Sequence, residues 1–129
     1  MNTATTLSFT TPALLEQLAQ LNADQLDELD LGVIGFDAET NVCRYNRTES
    51  EAAGLTGPRV LGQPLFTNVA PCLNNFLVAQ RFEDAADDAS ELDDTIDYVL
   101  TLRMRPIKVK LRLLASASGA NRYVLVQRR

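Results

Sequence analysis

Three side chains in this sequence are of types that could do chemistry together: the phenol of Tyr45, the carboxyl of Glu49 and the thiol of Cys72. Tyr45 and Glu49 are four residues apart, and positions four apart stack on one face of a helical turn with Cβ atoms about 5–6 Å apart. A phenol O–H and a carboxyl O–H so placed can both donate to one acceptor. Glutamates are almost never fully buried unless paired, so an exposed surface position for Glu49 stays open on spacing alone. Cys72 stands in "NVAPCLNN", Asn68 to Asn75, after Pro71 and before a turn-like Leu-Asn-Asn. Proline biases Ala70 away from helix, which puts the thiol on a loop. There it is either a small buried hydrophobe, the common state of lone cysteines, or a reactive group. Cys43 alternates with Tyr45 in a strand-like run and reads as core packing.

Other chemistries find no residues. With no histidine there is neither a Ser-His-Asp set nor a Cys-His pair. No G-x-x-x-x-G-K-[ST] or G-x-G-x-x-G loop exists to cradle phosphates. No cluster has the ligand spacing of zinc, and "DDASELDD" lacks the glycine of a calcium loop. An enzyme is not expected. The net charge of −5 disfavours nucleic acid as a partner, because phosphate binding needs a basic field. No apolar run approaches the roughly 18 residues that span a bilayer, and "MNTATTLSFT" has neither a basic n-region nor an apolar h-region. Two cysteines in a chain with no export signal suggest free thiols in a reducing compartment, the cytoplasm.

Several elements must position these residues. "TTPALLEQLAQLN" predicts a short helix with Thr11 as N-cap, Pro12 in its first turn and Leu14, Leu18 and Leu21 on one face. Asn22 can cap a second, "ADQLDELD". Residues 1–30 thus read as an N-terminal helical cap on a core of residues 31–129 within a single domain. "LGVIGFD", a turn "AETN" and "VCRYN" read as two strands. The next stretch, to Cys72, holds Gly54, Gly57, Pro58, Gly62, Pro64 and Pro71, which forbid one long helix. "NNFLVAQRFEDAADDA" is the longest helix candidate, with Phe76, Leu77, Gln80 and Asp84 near one stripe. "TIDYVLTLRM", "IKVKLRLLAS" and "NRYVLVQR" read as three closing strands. In the second, Val109, Leu111 and Leu113 point one way and Lys108, Lys110 and Arg112 the other. The order predicts an α+β domain with one five-stranded antiparallel sheet and helices on a face. A ligand pocket belongs between helical crossover and sheet. Acidic cap residues, among them Glu16, Asp24 and Glu28, are expected over or beside the basic row of Lys108, Lys110 and Arg112.

Taken together, "YNRTESEAAG", "VLGQPLFTNVAPC" and "LRMRPIKVKLRL" resemble the photoactive yellow protein family, bacterial blue-light receptors with a PAS fold. The similarity runs from about Phe9 to the C-terminus, and "NVAPC", with Tyr and Glu four apart, is its most specific part. It implies a 4-hydroxycinnamic (p-coumaric) acid chromophore bound as a covalent thioester to Cys72. Tyr45 and Glu49 would hold its phenolate oxygen and the Cys72 backbone N–H its carbonyl. Ala53, Leu55, Val69 and Met104 would complete the chromophore site. The family's threonine behind the tyrosine falls at Ala53, its ring-screening arginine at Leu55, and its C-terminal lysine at Gln127, opposite Phe9. Light would isomerise the chromophore, Glu49 would give up a proton, and partial unfolding would carry the signal. The partners so implied are the chromophore and an unknown downstream signalling protein, with no nucleic acid or membrane and with the chain a monomer or weak dimer. A PAS module binding another small ligand, and a thiol redox sensor built on Cys72, are the alternatives.

Overall fold

The computed structural model describes residues 8–101, 106–118 and 121–128. Strands β1 (Gly32–Phe36) and β2 (Val42–Tyr45) pair antiparallel. In the turn between them one Asp37 carboxylate oxygen accepts from the N–H groups of Glu39 and Asn41 at 2.9 and 3.0 Å. The crossover is broken as its glycines and prolines require. It consists of α3 (Arg47–Ala53), α4 (Gly57–Val60), a π-helical turn (Leu65–Val69), a 3-10 turn (Pro71–Leu73) and α5 (Ala79–Asp88). Strands β3 (Leu92–Leu100), β4 (Ile107–Ala115) and β5 (Arg122–Gln127) close the sheet, whose order is β2-β1-β5-β4-β3 and whose pairings are all antiparallel. The expected α+β architecture is present.

Helices cover both faces of the sheet, not one. The crossover face buries Ile34, Phe36, Leu111, Leu113, Val124 and Val126 against Val60, Leu65, Phe66 and Phe82. Phe36 meets Phe66 and Phe82 edge-on, with centroids 5.6 and 4.9 Å apart, the geometry ring quadrupoles prefer. The outer face buries Val33, Leu114, Tyr123 and Leu125 against Phe9, Leu14, Leu18, Leu26 and Leu29. That second layer comes from α1 (Leu14–Ala19), α2 (Ala23–Asp27) and the chain before them. It explains why "YVLV" in β5 is buried at every position, as strands sandwiched on both sides are.

Four local expectations are corrected. Helix α1 has Ala13, in the left-handed region at φ 53°, at its N-cap. Thr11 Oγ1 instead accepts from the Ser8 N–H at 2.8 Å, closing a tight turn upstream. Helix α5 starts at Ala79 and buries Ala79, Phe82 and Ala85. Asn75 Oδ1 accepts from the N–H groups of Leu77 and Val78, and this Asx turn leaves Phe76 and Leu77 exposed. Cys43 is exposed rather than in the core. Gly35 pairs with Arg44 and Phe36 with Val42, so Cys43 is the extra residue of a bulge, and a bulge re-aims its side chains. Arg112 is buried rather than part of an open basic row. It donates to the carbonyl oxygens of Phe9 and Thr11 at 3.0 and 2.8 Å and forks onto Asp93 at 2.8 and 2.9 Å. Lys110 pairs with Asp97 on its own sheet at 2.8 Å. On β4 the cap is therefore held by Arg112 through backbone carbonyls, not through its acidic side chains. Asn22 does cap α2, as expected, in a reciprocal capping box with Gln25.

Candidate functional site

Tyr45 is the last residue of β2, and Asn46 is the N-cap of α3. Asparagine suits that position because its side-chain oxygen accepts an otherwise orphaned helix N–H. Here Asn46 Oδ1 accepts from the N–H groups of Glu49 at 3.1 Å and Val33 at 3.0 Å. Its Nδ2 donates to the carbonyl oxygens of Leu26 and Leu31, both at 2.9 Å. One buried side chain thus ties α3 to β1 and to the cap. Thr48 Oγ1 adds a bond to the Leu29 carbonyl at 2.6 Å, and the Asp27 carboxylate accepts from the Arg47 N–H at 2.7 Å.

This junction turns Glu49 inward, where it is 1% exposed. The surface placement left open by spacing is not the one adopted. Its carboxylate is paired: Arg128 Nη1 donates to Oε1 at 2.8 Å and Nη2 to Oε2 at 3.0 Å, a bidentate fork. Gly32 provides the space, since a Cβ there would lie 2.1 Å from Glu49 Oε1. Tyr45 is half-buried against the crossover core. Burial, then the charge of Glu49, push its phenol well above the usual tyrosine range, with Arg128 opposing. Tyr45 therefore keeps its O–H as a donor across the neutral range.

Cys72 sits in the 3-10 turn, partly buried and packed against the same apolar cluster that Tyr45 and Leu55 touch. Val69 and Ala53 are buried, Val69 within that cluster. Its backbone is pinned: Tyr98 O–H donates to the Cys72 carbonyl at 2.5 Å, and Asn75 Nδ2 donates to the Tyr98 oxygen at 2.5 Å. Met104 lies outside the described residues. Phe9 is buried in the outer-face cluster and Gln127 is half-buried at the end of β5. Cys43, the other thiol, is raised by partial burial and by the charge of Asp37. The structure thus brings Tyr45, Leu55, Val69 and Cys72 to one apolar cluster, with Glu49 beside Tyr45. Sequence reasoning missed Gly32, Asn46, Tyr98 and Arg128. A glycine inside an apolar strand and an asparagine just before a helix were available signals; nothing local marks Arg128. Among the described residues no group of His, Cys, Asp and Glu could hold a metal, and no helix is long and apolar enough to cross a membrane.

Sheet order and the broken helical crossover define a class, the PAS fold. The PAS domain of the quorum-sensing receptor RpfR from Cronobacter turicensis superposes with a TM-score of 0.60 at 18% identity, covering 78% of this chain and 95% of that one. Within that class the chain belongs to the photoactive yellow protein family. The photoactive yellow protein domain of the sensor histidine kinase Ppr from Rhodospirillum centenum superposes with a TM-score of 0.80 at 31% identity, covering 88% of this chain and 98% of that one. The photoactive yellow proteins of Halochromatium salexigens and Rhodothalassium salexigens are 29% and 28% identical over 111 residues, 86% of this chain and 88% of each relative. No family model matches the sequence. Proteins of this family are photoreceptor and signalling modules, not enzymes.

Proposed function

We propose that this chain is a blue-light sensor carrying 4-hydroxycinnamic (p-coumaric) acid as a thioester on Cys72. One observation supports it above the rest: a half-buried loop thiol and a half-buried phenol pack against one apolar cluster, with a fully buried carboxyl beside the phenol. The side chains suit an aryl acyl group. Ala53, Leu55 and Val69 offer apolar walls, and Tyr45 offers an O–H that survives above neutral pH. A buried phenolate is costly without such charge-assisted donors. Glu49 is the second donor in this reading, and it can donate only after releasing part of the Arg128 fork. The bound group would supply light absorption and isomerisation; the protein's residues supply the rest.

Glu49 holds or releases the proton at its carboxyl oxygens. An uncompensated buried charge costs several kcal/mol, against about 5–15 kcal/mol for a whole domain. Asn46 links the Glu49 N–H to the Leu26 and Leu31 carbonyls, so strain at the first turn of α3 reaches the cap. Residues 1–30 act as the released element over a sensory core of residues 31–129, and a cytoplasmic signalling protein reads the change. The chain works as a monomer or weak dimer.

The test is reconstitution with an activated hydroxycinnamic acid. The expected product has a visible band and the added mass of one acyl group; Cys72→Ala loses both and Cys43→Ala keeps both. Hydrogen exchange in the light should quicken in residues 10–30. An adduct that survives Cys72→Ala overturns the attachment site. Failure of every variant to take the group returns the chain to a small-ligand or redox-sensing PAS module.

A further inference from the structure

Glu49 has two claims on it. From β2, the Tyr45 phenol lies within reach of its charge; from the residue after β5, Arg128 grips both its oxygens. The Arg128 side chain is 18% exposed and that of Glu49 2%, so this fork is screened little by solvent. It is also built in. Arg128 follows Val126 at the two-residue period of β5, on the crossover face, and Val126 pairs across the sheet with Gly32. Gly32 is the position that leaves room for the Glu49 carboxylate. On α3 itself Arg47 and Glu51 are exposed, and Asp27 of α2 faces Arg47 at 4.0 Å. Among the described residues, Arg128 is the cation in contact with Glu49.

We propose that Arg128 is a positioning residue that holds Glu49 as a carboxylate on the sheet and competes for it with the chromophore's phenolic oxygen, so that the strength of this fork sets where the pocket's shared proton rests. The inference depends on the reading of Tyr45 and Glu49 as the partners of that oxygen. One proton is at issue. It lies either on Glu49, leaving a phenolate, or on the phenol, leaving the Glu49 carboxylate; the total charge is the same. The Arg128 fork favours the second arrangement. Without Arg128 the carboxyl is desolvated with no counter-charge and takes the proton. It is then free to donate to a phenolate. The sign is diagnostic. Removing a nearby cation acts directly on a phenolate by disfavouring it, whereas removal acting through Glu49 favours it.

Infrared spectroscopy of the protein without chromophore tests the pair alone. The C=O stretch of a protonated Glu49, assigned by its loss in Glu49→Gln, should be absent at neutral pH in the unaltered protein and present in Arg128→Gln. The loaded protein gives the second reading. In Arg128→Gln the phenolate-to-phenol absorbance ratio should rise about tenfold or more, the scale of one close charge, and this effect should vanish when Glu49 is already Gln. Arg128→Lys keeps the charge but loses the fork. It should move the ratio the same way by less, and it carries the test if Arg128→Gln does not fold. An acid band in the unaltered protein, no band in Arg128→Gln, or a ratio that falls or stays constant overturns the proposal. Failure of the chromophore to attach in any variant defeats the functional reading instead, and the infrared result still judges the pair.

Discussion

The Tyr98 hydroxyl donates to the carbonyl oxygen of Cys72 across 26 residues of sequence, at 2.5 Å. It fixes the backbone of the thiol's loop to the edge strand β3. Tyr98→Phe keeps the ring in the core and removes the bond. Loss of about 1–2 kcal/mol is expected, together with faster alkylation of Cys72 by a thiol reagent. Alkylation at an unchanged rate would mean that the loop is held by its packing alone.

Gly32 and Gly57 make a matched pair for the seat of Glu49. A Cβ at Gly32 collides with the Glu49 carboxylate, while one at Gly57 has nothing within 4 Å. Gly32→Ala should destabilise by about 1–3 kcal/mol through overpacking, and more where the Arg128 fork breaks with it. Gly57→Ala should change stability by less than about 1 kcal/mol, the helix gain being set against the crowding that a Cβ brings just before Pro58. Urea midpoints measure both, and equal effects would contradict the tight seat.

Asn46→Ala leaves two N–H groups and two carbonyls without the partner they now have. Each buried orphan costs about 1–3 kcal/mol. A loss of at least about 2–4 kcal/mol is expected, with hydrogen-exchange protection falling first in residues 23–31. A uniform loss across the sheet would show that Asn46 does not couple the cap to α3.

The Arg112 guanidinium holds the Asp93 carboxyl below the usual carboxylate range, through its hydrogen bonds first, with burial opposing. A depressed folded value stabilises above the unfolded one, about 3.9, and that share is lost as pH falls through the folded value. Asp93 is 53% exposed at its side chain, so the share is at most about 1 kcal/mol. The stability gap between the unaltered protein and Asp93→Asn should be open at pH 6 and close below about pH 4. A gap independent of pH would assign the effect of Asp93 to packing.

The sheet was legible because alternation is local: "IKVKLRLLAS" states its own faces up to Lys110. It misleads at Arg112, whose burial depends on a cap that packs across the sheet from about a hundred residues away. Cys43 was misread for a related reason. A strict two-residue period gives it the face of Tyr45, and one bulge cancels the period. Phe76 and Leu77 look like a helical stripe until Asn75 spends its side chain on their backbone. At the candidate site, Tyr45, Glu49 and Cys72 were readable as types and as a family resemblance. The Arg128 fork was not, because a residue at the end of the last strand carries no local sign of what lies across the sheet.

Arg44 and Arg112 grip the cap by its backbone. Arg44 donates to the carbonyl oxygens of Leu18, at 2.7 Å, and of Leu21, and Arg112 to those of Phe9 and Thr11. Every residue has a carbonyl, so this grip recognises the path of the chain and not its letters. Exposed cap positions such as Glu16, Asp24 and Glu28 can be rewritten, for another partner or another surface charge, while the latch beneath them stays the same. The outward alphabet of the cap is thereby uncoupled from the mechanics that hold it to the sheet.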